Sequence, residues 1–132
     1  MPKQEVKHPD KQVSTGAYSA GVLIDGWLYV SGHAAEDLRT GEPVGVTMAE
    51  QTRAALENIG KVLAAAGASF ADVVKCTCHI TDIGEFDEFN AAYAEFFPAP
   101  MPARTTVESG LPAPLKVEID CIARVPQKGG QG

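Results

Sequence analysis

The sequence predicts an α+β two-layer sandwich: one mixed β-sheet with two helices on one face, in the order β-β-β-α-β-α-β-β. Three observations lead there. Two segments, around residues 47–66 and 82–97, carry apolar side chains at the one-sided spacing of amphipathic helices. Two runs, 74–81 and 115–125, alternate between apolar and polar residues as half-buried strands do. An Asp25-Gly26 pair separates two apolar runs and marks a two-residue hairpin turn. Helices apolar on one side each cover the same sheet face and leave the other open.

Each element has a local cause. The hairpin joins 22–24 to 27–30, because Asp-Gly tolerates the positive φ that such a turn needs. Thr40-Gly41-Glu42-Pro43 reads as a second turn, followed by a short strand around 44–46. Thr47-Met48-Ala49-Glu50 is a capping box that opens the first helix. Ala55, Leu56, Ile59, Val62, Leu63 and Ala66 form its apolar face, and Gly67 closes it. In 74–81, Val74, Cys76, Cys78 and Ile80 share one face, opposite Lys75, Thr77, His79 and Thr81. Asp82 caps the second helix, Phe86, Phe89, Tyr93, Phe96 and Phe97 stripe it, and Pro98 ends it. Strands at 104–109 and 115–125 complete the sheet. In the last, Val117, Ile119 and Cys121 face the helices, while Lys116, Glu118 and Asp120 face away. That open face is mixed in character and is a candidate for subunit contact, so an oligomer is expected.

The 132 residues fit one domain, 45% apolar and 21% charged. Its expected ordered core is about 13–126, between a polar N-terminal segment and a flexible tail at 128–132. No run approaches the apolar length of a membrane span and the start lacks an apolar signal region, so the expected compartment is the cytoplasm. A net charge of −6 with scattered basic residues disfavours nucleic acid as a partner. Three cysteines are an odd number for a disulfide framework and read as reduced core thiols. Because His79 faces away from Cys78, no zinc site is expected. GxGxxG, Walker, HExxH and GxSxG motifs are absent.

Two charged residues stand out. Arg104 opens an apolar strand directly after a loop stiffened by Pro98, Pro100 and Pro102, and a guanidinium fixed in that way can fork onto a carboxylate. Glu118 lies inside the final strand. Together they suggest a site for a small acid with an activated water beside it. On residue type alone each also fits a solvated structural role. Asn90 lies at the edge of the aromatic stripe, where its amide needs partners.

The segments Gly16-Ala17-Tyr18-Ser19, Val30-Ser31-Gly32, Phe89-Asn90-Ala91-Ala92-Tyr93, Pro102-Ala103-Arg104-Thr105-Thr106-Val107 and Lys116-Val117-Glu118-Ile119-Asp120 occur in register. In that order and spacing, over roughly residues 16–126, the chain resembles the YjgF/YER057c family and its RidA enamine/imine deaminases. The resemblance implies the chorismate-mutase-like fold, a homotrimer with ligand clefts between subunits, no cofactor and no metal. It also implies a hydrolytic deaminase that turns 2-enamine or 2-imino acids into a 2-keto acid and ammonia. By the same resemblance Arg104 grips the substrate carboxylate and Glu118 activates the attacking water. Tyr18 lies over the substrate, Asn90 builds a pocket wall or fixes a loop, and Ser31 bonds ligand or its own turn. Thr106 offers backbone groups. The alternatives are a carboxylate-binding member without turnover, a deaminase of aminoacrylate- or aminomuconate-type acids, and, least favoured by charge, an RNA-directed protein. Two departures matter: His33 stands where many relatives have glutamine, and Thr106 where some have cysteine. His33 reads as a surface turn residue unless it adds a titratable group to the pocket.

Overall fold

The computed structural model describes residues 2–11 and 16–127; the predicted tail at 128–132 lies outside them. The elements are β1 (Gln4–Val6), β2 (Gly21–Ile24), β3 (Trp27–Ala34), β4 (Glu36–Asp37), β5 (Glu42–Pro43), α1 (Met48–Ala65), β6 (Val73–Ile80), α2 (Phe86–Ala94), β7 (Ala103–Glu108) and β8 (Val117–Arg124). The main sheet has six strands in the order β1-β2-β3-β8-β6-β7. Among the described residues only β6 and β7 pair in parallel, and α2 makes the crossover that a parallel pair requires. The expected two-layer α+β sandwich is therefore present, with its core between helices and sheet.

Local chemistry explains the main elements. Asp25 at φ 52° and Gly26 at φ 81° form the tight turn between β2 and β3. The Thr47 hydroxyl accepts from the Glu50 N–H and Glu50 reaches back to the Thr47 N–H, so the capping box opens α1. At the other end Gly67 N–H donates to the Ala64 carbonyl and Ala68 N–H to that of Leu63, a Schellman closure that uses the positive φ of Gly67. Leu56, Ile59, Val62 and Leu63 of α1 are fully buried against Leu28, Val117, Ile119 and Ala123. Asp82 caps a 3-10 turn, Ile83–Glu85, which runs into an α2 shorter than its aromatic stripe.

Three expectations are corrected. The third strand is not at 44–46. Val44 and Val46 are exposed, and Gly45 at φ 88° breaks the extended chain. What forms there is a separate two-stranded ribbon of β4 and β5. The third strand of the main sheet comes instead from the polar N-terminal segment, where Gln4 to Val6 pair antiparallel with β2 and His8 is buried. Lastly, two β6 residues oppose one on β8 at a bulge, which puts Val73 in the core and leaves Val74 exposed.

Candidate active site

Arg104 and Thr106 sit on β7, the unpaired edge of the sheet, and their Cα partners are Cys76 and Cys78. Those cysteines are buried beneath the helices, so Arg104 points to the helix side. There its guanidinium lies 4.7 Å from the Tyr93 ring centre and 5.5 and 5.6 Å from those of Phe86 and Phe89. Its Nη1 donates to Asn90 Oδ1 at 2.8 Å. Among the described residues no carboxylate pairs with it. A planar cation held on aromatic faces and oriented by one neutral amide keeps donors free for an anion. The aromatic stripe of α2, read from the sequence as core, thus also serves as the bed for this arginine. Beneath it the Tyr93 hydroxyl, beside the Cys76 thiol, has no well-formed hydrogen bond, and the buried Thr106 Oγ1 has none among the described residues.

Glu118 lies on the other face of the sheet. It pairs with Ala34 of β3 and His79 of β6, and it is half-buried. Its carboxylate rests on Gly32, where a Cβ would stand 2.3 Å from Oε2. A register shift between Val30 and His33 gives the strand its irregular course at that glycine. Glu36, just beyond, has its carboxyl held above the ordinary range, first by burial and second by the charge of Glu118. Asn58 of α1 locks this segment, donating from Nδ2 to the carbonyls of Ala34 at 3.1 Å and Glu36 at 2.8 Å. Its Oδ1 accepts from His8 Nε2 at 3.0 Å. The tautomer follows, because His8 Nδ1 already accepts from the Asp10 N–H.

The two predicted catalytic residues therefore do not meet within one chain. Two strand spacings and three residues of stagger separate their Cα atoms by roughly 14 Å, and the side chains diverge from there. Ser31 is tied down: its Oγ donates to the Ser19 carbonyl at 2.6 Å, which anchors the segment carrying Tyr18. Tyr18 itself is 48% exposed and lines a small cavity with Gly32, His33 and Glu36. His33 is corrected from surface turn to buried residue. Its Nδ1 donates to the Ser31 carbonyl at 2.7 Å and its ring stacks on His8. Glu36, Gly32 and Asn58 were missed as site residues. Asn58 had a readable signal, a polar residue on the apolar face of α1; Glu36 had none.

Other chemistry is poorly served. Burial pushes the Cys78 thiol up to about 12 and raises Cys76 and Cys121 as well, so none of the three supplies a thiolate near neutral pH. Among the described residues no group of three or more His, Cys, Asp or Glu is arranged to hold a metal ion. No described helix is long and apolar enough to cross a membrane. Surface grooves of about 670 and 740 Å³ lie at the β2–β3 hairpin end and beside Pro114, and neither is lined by Arg104 or Glu118.

Comparison with known proteins agrees with the motif reading. The chain is 37% identical over 123 residues to Reactive Intermediate Deaminase A, chloroplastic, of Arabidopsis thaliana, covering 92% of this chain and 66% of that protein. It is 40% identical over 109 residues to the 2-iminobutanoate/2-iminopropanoate deaminase of Rattus norvegicus, covering 82% and 80%. The crystal structure of E. coli TdcF with bound serine superimposes with a TM-score of 0.84 at 31% identity, over 92% of this chain and 98% of that one. The family described as Endoribonuclease L-PSP matches residues 9–125, and the chain belongs to that family, the YjgF/YER057c family.

Proposed function

We propose that the protein is a hydrolytic deaminase of small 2-enamine/2-imino acids, with its active site assembled between copies of the chain. The observation that carries this reading is Arg104. It is bedded on three aromatic rings, oriented by Asn90 and without a carboxylate partner among the described residues. A forked, charge-assisted contact of this kind contributes about 1.5–3 kcal/mol toward holding a carboxylate. The deaminase names carried by the Arabidopsis and rat relatives support the reaction class, and bound serine in TdcF supports a small amino-acid-like ligand.

Glu118 takes a proton as water attacks the imine carbon. Glu118 then passes that proton to the carbinolamine nitrogen and takes the hydroxyl proton as the C–N bond breaks, and 2-keto acid and ammonia leave. One water is consumed and no redox step occurs. General-base assistance of about 10²–10⁴ and fixed orientation suffice for a reaction that already runs slowly in water. Because Arg104 and Glu118 occupy opposite sheet faces, a site holding both takes them from two subunits. A homotrimer with clefts between subunits, as the family resemblance implies, meets that demand. The half-buried open face, with Trp27, Tyr29 and Val107 exposed beside Lys75 and Asp120, is the surface available for such contacts. A net charge of −6 favours this reading over an RNA-directed one.

The test measures ammonia and keto-acid release from an imino acid generated in situ by an L-amino-acid oxidase. Wild type accelerates release; Arg104→Ala and Glu118→Gln each lose it, the second by about 10²–10⁴-fold. Co-refolding the two inactive variants restores part of the activity if the residues act across subunits. No acceleration by wild type with any small 2-imino acid would sink the deaminase reading in favour of a carboxylate-binding protein without turnover. Lack of rescue would sink the shared site alone.

A further inference from the structure

The open face of the sheet carries a histidine that the reaction set out above does not use. His79 of β6 and Glu118 of β8 are direct Cα partners inside the β6–β8 ladder, away from its bulge between Val73 and Lys75. Residues opposite one another on antiparallel strands project to the same face, with Cβ atoms about 4.5–5.5 Å apart. Both residues are half-buried. The imidazole is fixed from the other side of β6: its Nδ1 and the Oγ of Ser109, just past the end of β7, share a hydrogen bond of 2.8 Å. Ser109 is itself held, its N–H donating to the Ile80 carbonyl at 2.8 Å.

The two remaining polar ends are not used up by the chain. Among the described residues His79 Nε2 and the Glu118 carboxylate make no hydrogen bond or ion pair, with each other or with another group. The charges on the same face are placed elsewhere. Lys116 pairs with Glu85, and Lys75 donates to the Thr105 hydroxyl at 3.3 Å. Asp120 stands opposite Thr77; burial raises its carboxyl first, and the charges of His79 and Lys75 act against that. Val107 beside His79 and Ala34 beside Glu118 are apolar. One row across the face therefore reads Ala34, Glu118, His79, Val107, with two polar ends side by side between apolar flanks. Polar groups this close that do not bond each other can be bridged by one water, which needs two or more polar partners.

We propose that His79 is the second anchor of the attacking water. Its Nδ1–H donates to Ser109 Oγ, which leaves Nε2 as an acceptor. The water then donates one hydrogen to Glu118 and the other to His79 Nε2, and a lone pair is left to face the imine carbon. Glu118 removes its hydrogen during the attack; His79 takes none. The hydrogen held by His79 stays on the new hydroxyl and is the one Glu118 collects as the C–N bond breaks. Holding both hydrogens fixes the direction of attack, which is an effect of orientation and not of a second base. The catalytic role rests on the deaminase reading; the tautomer of His79 does not.

The test uses the full-length protein. Nitrogen-15 NMR of the histidine side chains, assigned by comparison with His79→Phe, reads the tautomer without substrate. Neutral His79 is expected to carry its proton on Nδ1; a proton on Nε2 overturns the anchor. His79→Phe keeps a flat ring and removes both nitrogens. Its kcat should fall about 10-fold, the weight of one hydrogen bond, with KM and affinity for a non-reacting carboxylate unchanged. Ser109→Ala should lose less and should let the proton move toward Nε2. Unchanged kcat in a folded His79→Phe protein overturns the role, and so does a rise in KM alone, which would make His79 a binding contact. If His79→Phe does not fold, Ser109→Ala decides: unchanged kcat with an unchanged tautomer overturns the anchor. If wild type turns over no imino acid, the deaminase reading falls and the catalytic role with it. Wild-type turnover that survives His79→Phe overturns the anchor alone.

Discussion

The two faces of the sheet hold their charged residues by opposite means. Arg104 stands on an edge strand and is supported by large rings from one neighbouring helix, with a single neutral hydrogen bond to orient it. Glu118 stands in the middle of the sheet and is supported by what is missing: a glycine without a side chain and a strand out of register. The cation is cradled by added surface and the anion by removed volume. The difference follows from the chemistry. A guanidinium is weakly hydrated and stacks on π faces, whereas a carboxylate acting as a base needs space for water and a polar, shaped surround. It also means that each half can be broken without touching the other.

The largest expected effect comes from Gly32→Ala. The new Cβ would fall 2.3 Å from Glu118 Oε2, and the atom that yields is the end of a flexible side chain. The fold should therefore survive while the carboxylate moves. The expected outcome is a loss in kcat of about 10²-fold or more, with thermal stability near wild type and carboxylate-ligand affinity retained. Full activity in a folded Gly32→Ala protein would show that Glu118 need not occupy this place. Next comes Arg104→Lys, which keeps the charge but loses the fork, the stacking and the geometry of the Asn90 bond. Affinity for a small carboxylate should fall about 10- to 150-fold, measured by calorimetry or as KM.

These two halves were not equally legible in the sequence. Arg104 was marked by its prolines and by the motif around it, and the stripe Phe86, Phe89, Tyr93 was plain from helical spacing. The link between them was foreshadowed only by Asn90, an amide needing a partner. On the Glu118 side, the strand and its outward face were readable from alternation, because β8 carries no irregularity. Its surroundings were not. Alternation is a period-two signal, and the bulge in β3 breaks the period where Gly32 and His33 sit. His33 was therefore read as exposed. The N-terminal strand escaped for a related reason: Gln4, Glu5 and Val6 are an edge strand with one half-buried apolar side chain, too little to register as a pattern. That Arg104 and Glu118 are split between faces was within reach, since parity alone puts Glu118 away from the helices. The face of Arg104 depended on its parallel register with Cys76, which no single-strand pattern encodes.

A smaller effect sharpens the Arg104 half. Asn90→Ala removes the one hydrogen bond that orients the guanidinium and leaves its aromatic bed intact. The loss should be about 2- to 12-fold in KM, the equivalent of about 0.5–1.5 kcal/mol, with kcat little changed. A fall in kcat with KM unchanged would move Asn90 from orienting the anchor to the chemical step.

The mildest prediction concerns the support beneath the Glu118 half. His8 and His33 are both buried and stacked, and burial is the first cause holding each imidazole below its ordinary value near 6.5. The unfolded chain therefore binds more protons than the folded one between the lowered values and 6.5. Stability rises with pH across that window, is fully present above it, and is lost as pH falls through it. The melting temperature should decline more steeply on acidification from pH 7 than in a His33→Gln variant, which cannot take up the second proton. Glutamine can keep one bond to the Ser31 carbonyl, which isolates the protonation from the contact. The Arg104 bed contains no histidine, so its ligand affinity should stay flat over the same pH range while stability falls. Parallel melting curves for the two proteins would place the acid sensitivity elsewhere.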